Sequence, residues 1–327
     1  MKSFITAFLR ASVATALLAC GAAHAADKVI VAGWSQPITE ITNLLVEEDK
    51  GFFKAKGIDL GYVPGAGGGD AIRNMLTGQA TVAFTDPGSF FAALDKGEKL
   101  RGIYDIYPQN VFNVVSLKSS NITKPADLKG KKIGVYSLSS GTRQNLLVLL
   151  QQAGLSEADV TIVVTGLLNF APLMQGQVDA TAATDTGLLV GRQKGLGEVN
   201  VIEVRNHLNI SSDLFVVTET NYQSKKDVLK RFLAAYRDSM VWMIANLDEA
   251  AALAVKRAID GKNSATNREI IRLRNLASVS ATTQARGLGA LDMPMFQQAA
   301  DSYKKLGIIQ RDIRVADVLA QDLLPPK

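Results

Sequence analysis

Ser137, Ser139, Ser140, Gly141 and Thr142 crowd into one short loop directly before Arg143, and that loop has the make-up of a ligand anchor. Ile133-Gly134-Val135 before it is a short apolar run bounded by turn signals. After it, Leu146, Leu147, Leu149, Leu150 and Ala153 recur at helical spacing until Gly154 ends the pattern. The loop therefore supplies hydroxyls and free backbone N–H groups at a helix N-terminus, where unpaired donors and the helix dipole favour an anion. One hydroxyl is also the natural N-cap. Arg143 is a cation in the first turn, opposed by the dipole by about 0.3–1 kcal/mol, so it needs compensation. Either an anionic ligand or a carboxylate such as Asp185 provides it.

Other residues carry their own chemistry. Trp34 lies in the first loop after a strand, where a large aromatic has little core to fill and can stack on a flat ligand. Asp86 precedes Pro87 as an N-cap precedes a proline at the first helical position, and Asp185 occupies the equivalent place later. Both can cap a helix, and both can reach a ligand. Gly65-Ala66-Gly67-Gly68-Gly69-Asp70 superficially suggests a dinucleotide fingerprint, but Asp70 takes the place of the last glycine. The stretch is read instead as a loop that lets backbone approach a cleft. Arg73 is read as solvated or paired with Asp70. Catalytic and metal sites have no support: His207 is the only histidine after residue 25, there is no G-x-S-x-G, and no His, Cys or carboxylate cluster has ligand spacing. No cofactor and no catalytic residue is expected, and with no Walker A sequence any ATPase belongs to another chain.

The elements that must position these residues form a repeat. A strand (28–33), a loop with Trp34, a helix (38–50), a strand (57–63), a glycine loop, a helix from about Asp70, the turn Gly78-Gln79, and a strand (80–84) end in Thr85-Asp86. About one hundred residues later come a strand (132–135), the hydroxyl loop, a helix to Ala153, a strand (160–164), the turn Gly176-Gln177, and a strand (180–183) ending in Thr184-Asp185. Recurrent strand–helix–strand units predict parallel sheets, and the repeat predicts two similar α/β lobes facing one cleft, with loops beyond the carboxyl ends of the strands. Val111–Leu117 and Asp213–Thr218 read as the crossings between lobes, and hence as a hinge. Further helices are expected from Ser224, where Ser224 and Asp227 suggest a capping box, and around 266–277, 293–306 and 315–323, packed mainly on the first lobe. His207 is read as a surface residue of the hinge region.

Lys2 and Arg10, the apolar run 11–23 and Ala23-His24-Ala25 read as a secretory signal peptide with its cleavage site. Leu17-Leu18-Ala19-Cys20 also resembles a lipobox, the lesser alternative. Removing residues 1–25 leaves 302 residues with a net charge of +3, since Lys2 and Arg10 are lost from +5. Cys20, the only cysteine, leaves too, which excludes disulfides and a thiol nucleophile. Scattered charges without a basic, aromatic-interleaved stripe give no nucleic-acid footprint.

Four stretches together resemble one family: Lys50–Ile58, Leu76–Phe84, Asp127–Val135 and Met174–Ala180. The chain resembles the periplasmic substrate-binding proteins for nitrate, sulfonate, taurine and thiamine-pyrimidine precursors. The resemblance implies a type II two-lobed periplasmic binding protein of α/β class, each lobe a mostly parallel sheet flanked by helices. It implies one lobe of 26–115 with 208–327, a second of 116–207, a monomer, and a role handing a small ligand to an importer's membrane permease and ATPase. It places ligand contacts at Trp34, Gln36, Thr85, Asp86, Ser139, Ser140, Gly141, Thr142, Arg143 and Asp185. Thr184-Asp185-Thr186 lacks the aromatic and proline of many sulfonate binders, and no cysteine cluster of the pyrimidine-forming relatives is present. The hydroxyl loop and Arg143 predict a small anionic ligand, a carboxylate or sulfonate with a flat body. A thiamine-pyrimidine precursor paired with Asp86 and Asp185 is the alternative, as are a ligand-presenting sensor module and, last, a secreted enzyme.

Overall fold

The computed structural model describes residues 25–326; the signal peptide expected at 1–25, but for Ala25, and Cys20 with it lie outside the described residues. Ten strands form two five-stranded sheets. The first combines β1 (Asp27–Ala32), β2 (Ile58–Val63), β3 (Val82–Thr85), β4 (Leu100–Tyr107) and β10 (Asp213–Thr218) in the order β2-β1-β3-β10-β4. The second combines β5 (Phe112–Leu117), β6 (Lys132–Val135), β7 (Thr161–Val164), β8 (Ala180–Thr184) and β9 (Val199–Glu203) in the order β7-β6-β8-β5-β9. The two orders are the same topology twice. In each, three parallel strands are joined by one antiparallel strand: β10 against β3 and β4, β5 against β8 and β9.

Both faces of each sheet are covered, which is why the strands read as apolar runs rather than as alternation. On β3 and β10, Phe84 and Phe215 point to one face and pack with Phe232 and Tyr236, the Phe215 ring lying 5.3 Å from Phe232 and 4.7 Å from Tyr236. Ala83, Leu214 and Val216 point to the other face, against Phe90 and Phe296. In the second lobe, Ile133 and Val135 pack under Leu146, Leu149 and Leu150, while Val115 meets Phe170 and Leu173 on the opposite face.

Several expectations are corrected. The predicted helix 38–50 is three short pieces, Thr39–Ile41, Thr42–Leu45 and Glu47–Lys50, and 315–323 holds only a 3-10 turn, Val315–Asp317. Ser224 closes the short helix Glu219–Ser224 by donating to Thr220 O at 2.7 Å, so it caps nothing after it. β5 and β10 lie wholly inside the sheets, so the crossings fall before them, at 108–111 and 207–212. There the two chains are stitched together: Asn110 N donates to Asn209 Oδ1 at 3.2 Å, and Val111 N to Ser212 Oγ at 2.9 Å. Of the expected crossings only Val111 stands in one; 112–117 and 213–218 are ladder members of the sheets. His207 is exposed at the return crossing. Among the described residues no helix is long and apolar enough to cross a membrane.

Candidate ligand-binding site

The carboxyl ends of β1 and β3 and of β6 and β8 face each other, and a cavity of about 120 Å³ lies between them. Antiparallel β10 and β5 contribute their first residues at the same edge, because Leu214 pairs with Thr85 and Phe112 with Thr184. This geometry brings Asp213 and Phe112 into the cavity wall. Asp213 is 7% exposed and its carboxyl makes no hydrogen bond. Burial, then the charges of Asp86, Glu40 and Asp105, push its pKa well above the carboxylate range.

Trp34 lines the cavity, but it also has core to pack, contrary to expectation. Its ring lies edge-on to Phe84 at 6.3 Å and to Tyr136 at 6.5 Å. Asp86 lines the cavity while capping the helix Pro87–Asp95: Ser89 N donates to it at 2.8 Å and Ser89 Oγ at 2.7 Å. Burial raises its pKa against those two bonds. Ser140, Gly141 and Thr142 line the facing wall, where Ser140 caps the helix Gly141–Gln152. Thr142 Oγ1 accepts from Tyr136 N at 3.0 Å and lies 2.7 Å from Ser140 Oγ.

The other expected residues stand elsewhere. Arg143 turns away from the cavity: Nε donates to Glu157 Oε1 at 2.9 Å and Nη2 pairs with Glu157 Oε2. The carboxylate that compensates it is thus Glu157, not Asp185. Asp185 is the first residue of the helix Asp185–Gln193, whose cap is Thr184, and it pairs with Arg274. Gln36 is exposed. Thr85 is buried beneath Gly68 without lining the cavity. Ser139 joins the lobes, its Oγ donating to Ala66 O at 3.1 Å and its carbonyl accepting from Gly69 N at 2.9 Å. The approach is close: Gly67 has φ +126°, and a Cβ there would meet the Ser139 backbone. Arg73 pairs with Asp70.

Glu40 and Arg274 were missed. Arg274, 1% exposed, lies over the Tyr107 ring at 5.2 Å, pairs with Asp185 of the other lobe, and has its Nε 3.6 Å from Glu40 Oε2. Thr186 Oγ1 donates to Glu40 Oε1 at 2.8 Å, a second bond across the cleft. Three carboxyls therefore wall the cavity, Glu40, Asp86 and Asp213, with one guanidinium already engaged. Among the described residues no group of three or more His, Cys, Asp or Glu is placed to hold a metal ion.

The family described as "NMT1/THI5 like" matches residues 38–250. The chain belongs to that family. Riboflavin-binding protein RibY of Chloroflexus aurantiacus is 22% identical over 297 residues, 88% of this chain and 84% of that protein. A putative thiamine biosynthesis protein of Haemophilus influenzae is 23% identical over 279 residues, 84% and 85% of the two chains. The periplasmic aliphatic sulphonate binding protein SsuA of Escherichia coli superposes with a TM-score of 0.64 at 18% identity, over 91% of this chain and 98% of that one. The fold of this NMT1/THI5-like chain is that of the two-lobed periplasmic binding proteins, similar to the substrate-binding proteins of importers.

Proposed function

We propose that the chain is the extracytoplasmic substrate-binding subunit of an ABC importer, and that it captures a small flat nitrogen heterocycle and presents it to a membrane permease. The observation that carries the ligand class is Asp213. A nearly buried carboxyl without a partner, on the wall of a cavity, is costly unless a bound molecule supplies the hydrogen bonds. A carboxyl is complementary to a ring nitrogen with an adjacent amino group, since it can accept from the N–H and, when protonated, donate to the ring nitrogen. Trp34, Phe112 and Tyr136 give the ring aromatic neighbours, and Ser140 and Thr142 offer hydroxyls on the far wall.

An anionic ligand fits these surroundings less well. Arg143 is held by Glu157 and Arg274 by Asp185, so a carboxylate or sulfonate would have to displace an existing carboxylate to reach either guanidinium. The names of the two relatives, for riboflavin and for thiamine, are both names of nitrogen-heterocyclic compounds and agree with this reading. Mass spectrometry of the small molecule released from protein purified from its native host tests it. A nitrogen heterocycle is expected; an aliphatic sulfonate or carboxylate would overturn the ligand class.

A further inference from the structure

The inner cavity does not end at Glu40. A second chamber of about 570 Å³ lies beside it, still between the lobes, and Ile38, Glu40, Leu167, Asn169 and Gly187 line both spaces. The inner cavity holds about one small ring: a cavity of roughly 150 Å³ takes a single benzene. A larger ligand can extend past the shared lining into the outer chamber.

We propose that the two spaces are subsites of one site, and that the ligand is bipartite: one flat ring inside, joined to a mainly apolar extension that runs between Ile38 and Leu167 into the outer chamber. This inference rests on the heterocycle reading above for the inner half. Three observations carry the outer half. First, much of the outer chamber's wall is apolar: Ile38 and Ile270 of the first lobe and Leu167, Met174 and Val190 of the second line it, Met174 and Leu167 remain 42% and 56% exposed, and the charged lining is Glu40, Lys194 and Asp260. Large apolar side chains left open between lobes are covered at a gain by an apolar chain. Second, Asn169 at the boundary is held at φ +50°, ψ −92°, one of two non-glycine residues with positive φ among those described. Backbone held in so sparsely populated a region marks functional positions. Third, its amide lies against Gly187 so closely that a Cβ there would collide with Nδ2, yet the amide makes no hydrogen bond. Asn169 therefore presents a free donor and acceptor at the junction of the subsites, where the atom linking ring to extension would sit.

Calorimetry with two probes tests this: 4-amino-2-methylpyrimidine and the same ring bearing a 5-hexyl chain. The wild-type protein is expected to bind the hexyl compound at least roughly tenfold more tightly than the bare ring, because several methylenes leave water. Ala171→Trp fills the outer chamber, and Val190→Trp does so independently. Each should abolish that gain while leaving the bare ring's affinity within about twofold, with unchanged melting temperature as the folding control. Equal wild-type affinities for the two probes, or a gain that survives both tryptophan variants, would overturn the bipartite site while the heterocycle reading stands. If neither probe binds the wild-type protein, both readings fall.

Discussion

Asp105 should make this protein less stable as pH rises through neutrality. Its side chain is 1% exposed; Ser211 Oγ donates to Oδ1 at 2.7 Å, and Oδ2 has no partner. Burial, opposed by the Ser211 bond and aided by Asp292, pushes its pKa from 3.8 up to about 8. The sign follows from linkage: between those values the folded protein keeps a proton that the unfolded chain has released, so stability is full below about pH 4 and is lost as pH rises towards 8. One proton corresponds to about 1.4 kcal/mol per pH unit, so Asp105 alone removes about 2.7 kcal/mol between pH 5 and pH 7. Asp105→Asn deletes that titration and keeps the shape. Urea unfolding followed by tryptophan fluorescence reads the right lobe, since Trp34 and Trp242 both pack on the first-lobe core. Asp86 titrates alike in both proteins and cancels, and Asp213 feels the Asp105 charge only once Asp105 ionises, above the pH 5–7 window compared. The variant is expected to gain on wild type by about 2–3 kcal/mol from pH 5 to pH 7; parallel stability curves would show that Asp105 is ionised in the fold and refute the reasoning.

Three further outcomes are expected. Arg143→Ala should leave ligand affinity within about twofold, and should cost less than about 1 kcal/mol of stability by urea titration, because its pair with the 41%-exposed Glu157 is near the surface. Arg274→Leu leaves Glu40 and Asp185 without their cation across the cleft, and should cost about 3–5 kcal/mol by the same measurement and weaken binding. If the lobes close by rotation at 108–111 and 207–212, small-angle scattering should show a smaller radius of gyration on saturation with the ligand that mass spectrometry identifies; superimposable profiles would contradict it.

The repeat and both parallel halves were legible because β1, β3, β6 and β8 are continuous apolar runs followed by caps and turns, and the same pattern put Ser140, Gly141, Thr142, Trp34 and Asp86 at the edge where the cavity lies. The antiparallel members were harder. β10 was read as a crossing because nothing local distinguishes a strand that bridges lobes from one that joins a ladder; that hid Asp213, which reaches the cleft only because β10 runs backwards against β3. β4 and β9 were not recognised at all. Arg143 and Asp185 were both visible as unusual charges at helix starts, but their partners, Glu157 and Arg274, lie 14 and 89 residues away, and such pairing is set by tertiary packing. Arg274 itself sits in an ordinary amphipathic helix, Ser264–Ala277, whose sequence gives no sign that one arginine is buried.

The central claim is that Asp213 recognises the N–H edge of a bound ring, and calorimetry with 4-amino-2-methylpyrimidine and with an aliphatic sulfonate, on wild type, Asp213→Ala and Arg143→Ala, tests it most directly. A protonated carboxyl that accepts from the amino group and donates to the ring nitrogen makes two neutral hydrogen bonds of about 0.5–1.5 kcal/mol each, so Asp213→Ala should weaken the aminopyrimidine by roughly five- to a hundredfold, with Arg143→Ala unchanged and the sulfonate unbound throughout. Tight sulfonate binding that survives Asp213→Ala and is lost in Arg143→Ala would contradict the account.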